Sequence, residues 1–219
     1  PGKIIQTRSK PKGEGGMKEN PIRDLLAQGN WGEDQALLQG LRQWQYAPVL
    51  WQAYETLQEE ALFHSQVHGP GHIHRVLLLA ALLCWKEGAP EEMVRQVFRA
   101  ASYHDVGRTF DGYDIYHGAR SALRLAALTG QTGEALVELQ AAVTAHSRPD
   151  REMASIVASF QPRDLPHAMA LTRLLKDADN LDRVRLGDLD PKFLRHDSAK
   201  DLVGFAQRLF QRDQAAREP

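Results

Sequence analysis

An uninterrupted apolar run, Val76 to Trp85, lies between Arg75 and Lys86. It is far shorter than the ~20 residues a membrane-spanning helix needs, so it predicts a buried core helix. Strand signals are nearly absent: no period-two alternation is sustained, and no Asn-Gly or Asp-Gly turn joins two β-branched runs. Helical periodicity instead predicts an all-α chain, with helices over about 21–29, 32–43, 47–66, 70–87, 90–105, 117–129, 132–146, 150–159, 164–186 and 197–214. Gly69-Pro70-Gly71, Gly88-Ala89-Pro90, Gly130 to Gly133 and Ser147-Arg148-Pro149-Asp150 punctuate this series.

A chain of 219 residues suits one domain with a real hydrophobic core. Residues 1–20 read as a flexible tail, because Pro1 to Gly16 carry Lys, Arg, Gly and Pro without an apolar stretch; since Met17 follows Gly15-Gly16, a vector-derived remnant reads equally well. Residues 21–219 then form a single helical-bundle domain with an N-terminal helical extension. Trp31, Trp44 and Trp51 in that extension are candidates for core cover or for a homodimer surface. The net charge of −1 gives no support to nucleic-acid or membrane-surface binding. Cys84 is the sole cysteine, which excludes an internal disulfide and any multi-cysteine zinc site and fits a reducing cytoplasm, the expected location. Any metal must therefore be held by histidines and carboxylates.

Several such groups continue apolar stripes. His72 is followed by Val76, Leu79 and Leu83, while Val94, Val97, Phe98 and Ala101 lead to His104 and Asp105. His117 shares a face with Ser121, Leu125 and Leu128, and His146 with Leu136, Leu139 and Val143. Asp179 continues Leu171 and Leu175, with Asp182 one turn beyond as a supporting group. Asp177 sits about 200° around the helix from Asp179 and is expected to be solvated. Unpaired polar groups cost several kcal/mol in an apolar interior, so six of them pointing inward from five helices are most economically neutralised by a cation. The expected ligands are His72, His104, Asp105, His117, His146 and Asp179. His64, His74, His167 and His196 are assigned to structure or surface.

The order His72, His104-Asp105, Asp179 resembles the H…HD…D signature of the HD-domain superfamily. His68-Gly69-Pro70-Gly71-His72-Ile73-His74-Arg75-Val76 is similar to the opening of many bacterial HD proteins, Tyr103-His104-Asp105-Val106-Gly107 to their central motif, and Lys176-Asp177-Ala178-Asp179 to their final one. The resemblance covers about residues 60–186. His117 and His146 resemble the extra histidines of subgroups with two metals. The implied arrangement puts His72, His104, Asp105 and Asp179 around one ion, with Asp105 bridging to a second ion completed by His117 and His146. The Gly-Tyr-Pro segment of cyclic-dinucleotide phosphodiesterases does not follow His146.

The resemblance implies a metal-dependent phosphohydrolase using one or two divalent ions (Mn, Fe, Mg, Zn, Co or Ni), with His104 and Asp105 at the catalytic centre. Its partner would be a nucleotide or another small phosphate ester. Arg75, Arg108, Arg148, Lys176 and His68 lie near the expected ligands and are candidate substrate-binding residues, as is Arg120. The same ligand order also resembles the HD oxygenases with a di-iron centre, such as myo-inositol oxygenase and the phosphonate-cleaving enzymes. A non-catalytic ligand-binding module is the third reading, and the complete ligand set counts against it.

Overall fold

The computed structural model describes Ile22, Leu26 and residues 30–217. The tail expected over residues 1–20 lies outside the described residues, as does most of the helix expected over 21–29, of which Ile22 and Leu26 are helical and buried. Among the described residues the chain is all-α, without a strand. Its helices are α1 (Gln35–Gln43), α2 (Ala47–Glu55), α3 (Pro70–Lys86), α4 (Glu91–Tyr103), α5 (His117–Ala122), α6 (Leu125–Thr129), α7 (Gly133–His146), α8 (Asp150–Ser159), α9 (Leu165–Leu181), α10 (Asp197–Asp201) and α11 (Val203–Arg217). No helix among these residues is long and apolar enough to cross a membrane.

The apolar run forms the axis of the bundle. Pro70 starts α3, where its missing N–H has no partner to lose and its fixed φ suits the first turn. Every side chain from His72 to Cys84 is then buried, because α2, α4, α9 and α11 pack around all sides of the helix. Full burial of each leucine there stabilises the fold by about 1.5–3 kcal/mol. α9 is the second long element, packed against α3, α4 and α7. The Asp164 carboxylate caps it by accepting from the His167 backbone N–H at 2.9 Å.

Four expected helices are shorter than periodicity suggests: the one expected over 164–186 ends at Leu181 and continues as a 3-10 turn over Asp182–Leu186. The helix expected over 47–66 ends at Glu55, followed by a 3-10 turn at Glu59–Ala61. The Gln58 backbone N–H donates to Tyr103 Oη and its side chain donates to the Leu128 carbonyl, both at 3.2 Å, which draws the chain off the helical path while Leu57 and Leu62 enter the core. The helix expected over 117–129 breaks between α5 and α6, where Gln140 Nε2 occupies the Ala122 carbonyl at 3.0 Å. The one expected over 197–214 divides into α10 and α11 at Leu202.

A buried ion cluster joins three elements below the axis. Arg75, only 2 % exposed, donates to both oxygens of Asp182 at 2.7 and 2.9 Å and also to Asp213 on α11. It fastens α3, the turn that follows α9, and α11 to one another.

Candidate metal centre

Four imidazoles meet where α3, α4, α5 and α7 converge, and each is oriented through Nδ1. His72 Nδ1 donates to Asp182 Oδ2 at 2.8 Å and His104 Nδ1 to the Ala101 carbonyl at 2.9 Å. His117 Nδ1 donates to the Asp114 carbonyl, and His146 Nδ1 to the Val143 carbonyl at 2.5 Å. Carboxylate and carbonyl oxygens only accept, so Nδ1 carries a proton, and in each neutral ring Nε2 keeps its lone pair for the interior.

Those lone pairs are crowded together. His72 Nε2 lies 3.1 Å from His104 Nε2, and His117 Nε2 lies 2.9 Å from His146 Nε2. Asp105 stands between the pairs: Oδ1 is 3.0 Å from His117 Nε2 and 3.7 Å from His146 Nε2, while Oδ2 is 3.6 Å from His72 Nε2 and 3.8 Å from His104 Nε2. Asp179 Oδ1 closes the first group at 3.4 Å from His72 and 3.7 Å from His104. Facing lone pairs repel unless a proton or a cation lies between them, and Asp105 Oδ1 is buried without a hydrogen-bond partner. The donor set, imidazole nitrogen and carboxylate oxygen with hydrogen-bonded supporting groups, fits a divalent cation. Two overlapping triplets, His72–His104–Asp179 and His104–Asp105–His146, have ligand atoms within 4.8 Å of one another.

The electrostatics follow from this crowding. Burial opposes the charge on Asp105, but His104, His117, His146 and Arg108 hold it well below the usual carboxylate range. Burial likewise opposes Asp179, yet His104 and His72 hold it well below that range too. His146 is pushed down to about 4, first by burial and then by the neighbouring imidazoles. For His104 burial acts downward, and the Asp105 and Asp179 carboxylates outweigh it and raise the pKa.

Two glycines permit the convergence. A Cβ on Gly107 would lie 2.3 Å from the Ser121 backbone nitrogen, and one on Gly118 would lie 2.4 Å from the Val143 carbonyl oxygen. Without side chains there, the turn after Asp105 sits directly on α5, and α5 sits directly on α7. Ser121 Oγ accepts from the Gly107 N–H at 2.8 Å, and Arg120 Nε donates to the Gly107 carbonyl at 2.8 Å.

Asp179, with 22 % of its side chain exposed, opens the centre to solvent. It borders a cleft of about 290 Å³ lined also by His68, Arg108, Tyr113, His117 and Arg183. A larger cleft of about 660 Å³ adjoins it at Tyr113, His146 and Arg183, and brings in Arg148, Lys176 and Phe193.

The structure thus gathers all six expected ligands, and Asp182 supports His72 as anticipated. The expected substrate contacts divide. Arg148, His68 and Arg108 border the clefts, although Arg108 Nε also lies 2.9 Å from Asp105 Oδ2. Arg75 does not reach them, being enclosed by Asp182 and Asp213. Lys176 borders the larger cleft but is 4 % exposed, and its ammonium donates to the carbonyls of Ala145, His146 and Arg148 at 3.3, 3.1 and 2.6 Å. It holds the end of α7, and thereby His146, in place. Arg120 is engaged by Gly107 and Asp114. Asp177, expected to be solvated, is fully buried, because the loop after α9 folds back and places Arg195 and His196 on it.

Two further residues, outside the regular helices, belong to the cleft walls. Asp111 accepts from His68 Nδ1 at 2.8 Å and from Ser65 Oγ at 2.7 Å, fixing the histidine at the cleft wall. Arg183 borders both clefts and pairs with Asp188. Asp111 lies in a loop without a repeating pattern, whereas Arg183 follows Asp179 by four residues in the helix expected over 164–186, so the Leu171–Leu175–Asp179 stripe points to it.

Residues 71–184, more than half of the chain, match the family model of the HD domain. Neither the curated proteins nor the solved structures returned a match. With the family's namesake His104-Asp105 pair at the heart of the converging histidines, the chain belongs to the HD-domain family.

Proposed function

We propose that this chain is a metal-dependent phosphohydrolase acting on a nucleotide or another small phosphate ester. The observation that carries the reading is the facing of four Nε2 atoms around a buried Asp105, beside a cleft whose walls carry Arg108 and Arg183. His72, His104, Asp105 and Asp179 would hold one divalent ion; Asp105, His117 and His146 would hold a second. When bound, such ions lower the pKa of a coordinated water and polarise a phosphoryl oxygen.

The protein's own groups supply orientation and charge. Arg183 and Arg148 border the open clefts, where guanidinium groups match phosphate oxygens in bidentate fashion. His68 donates through Nδ1 to Asp111, so its Nε2 is left to accept a hydrogen bond from substrate or water at the cleft wall. Exposed Tyr113 and Phe193 flank the larger cleft and offer apolar area to a base or other planar group. Residues 21–219 act as one domain in this reading, since Ile22 and Leu26 join the same core cluster as the α3 leucines.

The test is a screen of nucleotides and phosphate esters with protein loaded separately with Mn, Fe, Mg, Zn, Co or Ni. Phosphate release that disappears in Asp105→Ala supports the reading. Oxygen uptake with an iron-loaded sample, without phosphate release from any ester, would replace it by oxidative chemistry on the same ligands.

A further inference from the structure

A second cavity, of about 370 Å³, lies between α2, α4 and α6 and shares no lining residue with the clefts over the histidines. On α4 it is lined by Arg95, Phe98, Arg99 and Ser102, a stripe at helical spacing. His104 and Asp105 continue the stripe of Val94, Val97, Phe98 and Ala101, with Phe98 at the border between the two stripes. The cavity therefore opens on a different face of the helix that carries the HD pair.

Its chemistry is two-sided. Phe98, Tyr103 and Leu128 give it an apolar interior, and Arg95, Arg99 and Gln52 supply polar groups. Arg95 is engaged with Glu91 at 2.6 Å. Arg99 is half-buried and makes no hydrogen bond or ion pair among the described residues, and the Ser102 hydroxyl, on a residue 4 % exposed, makes no hydrogen bond among them either. Burial and then the neighbouring Arg95 charge lower the Arg99 pKa, with Glu92 acting in the opposite direction. Half-buried charge without a partner is costly, and a bound anion would remove the cost. The walls are fastened in advance: Gln58 bonds to Tyr103 on one side and to the Leu128 carbonyl on the other.

We propose that this cavity is a binding site for a small organic anion, its phosphate or carboxylate on Arg99 and its apolar or planar part against Phe98, Tyr103 and Leu128. The site is separate from the metal centre and does not depend on the hydrolase reading. Ser102 and Tyr103 directly precede His104, so an occupant touches the end of α4 without entering the catalytic cleft.

Calorimetric titration of the full chain with phenyl phosphate, benzoate and neutral phenol tests this. Asp105→Asn serves as background, so that anion capture at the metal centre does not contribute. Binding of phenyl phosphate or benzoate to Asp105→Asn, weakened about tenfold or more by adding Arg99→Gln, is the expected result; the tighter of the two anions identifies the head group. Ala53→Leu, which fills the cavity from α2 without touching the charge, should also abolish binding, and cooperative unfolding of the variants at midpoints no lower than that of Asp105→Asn shows that the fold is kept. Failure of both anions to bind Asp105→Asn at millimolar concentration overturns the proposal. So does binding that persists in both cavity variants, or phenol binding as tightly as the anions.

Discussion

The two halves of the metal centre are supported differently. His72, His104 and Asp179 stand at the long helices α3, α4 and α9, and His72 is backed by a buried carboxylate, Asp182, which is itself gripped by Arg75. His117 and His146 both rest on main-chain carbonyls, as His104 does, so no carboxylate supports their half, and His117 begins a helix of six residues preceded by the exposed stretch 109–113. A carboxylate on Nδ1 makes Nε2 more basic, whereas a carbonyl chiefly sets its direction. On the proposed two-ion reading, the comparison predicts that the His72 side is the tighter ion position and the His117 side the more easily emptied one.

The strongest way to break this picture is to remove what the halves share. Asp105→Ala should lose both ions and all turnover, as read by metal analysis and phosphate release; an active variant would end the two-sided description. Next comes Asp182→Ala, which strips the His72 support and leaves Arg75 with only Asp213. Breaking such a buried pair costs about 3–5 kcal/mol in denaturant unfolding, and loss of the supporting carboxylate weakens metal binding about 10–100-fold. His146→Ala sharpens the contrast, because it should release only the weaker ion and leave the His72 side filled. Gly118→Ala acts on the same half without replacing a ligand: its Cβ would lie 2.4 Å from the Val143 carbonyl and 3.1 Å from His146 Nδ1, so a loss of about 1–3 kcal/mol in stability is expected.

The smallest effect belongs to Asp177, outside both halves. Despite burial, His196 and Arg195 hold its pKa below the ordinary carboxylate value, and the Asp177 hydrogen bond raises that of His196. The Asp177 contribution is present above the ordinary carboxylate pKa and is lost as pH falls through the depressed one. The His196 contribution is full below the ordinary imidazole pKa and fades as pH rises through the raised one. The contact should therefore help most in mildly acidic solution, and Asp177→Asn should flatten both limbs of a plot of thermal midpoint against pH.

The same contrast separates what the sequence alone shows from what only the fold shows. His72, His104, Asp105, His146 and Asp179 all continue apolar stripes of regular helices, so each direction follows from a period of 3.6 residues. The breaks at Glu55 and Leu123 do not, because side chains distant in sequence, Tyr103 and Gln140, claim the backbone groups there. Asp177 departs from its expected exposure for a related reason: the periodicity of α9 is blind to the loop carrying Arg195, which covers the helix face from outside. Lys176 shows the limit for function, since a motif lysine near a cleft reads as a phosphate contact until its ammonium is found satisfied by three carbonyls.

Quantitative metal analysis of the full chain, purified without chelator or nickel-affinity steps and compared with Asp105→Asn, tests the converging histidines most directly. Stoichiometric divalent metal in the parent, absent from the variant while its fold persists by circular dichroism, is the expected result. A parent that holds no stoichiometric ion after incubation with each of the six metals would show that these imidazoles are paired by protons alone, and the centre described above would not exist.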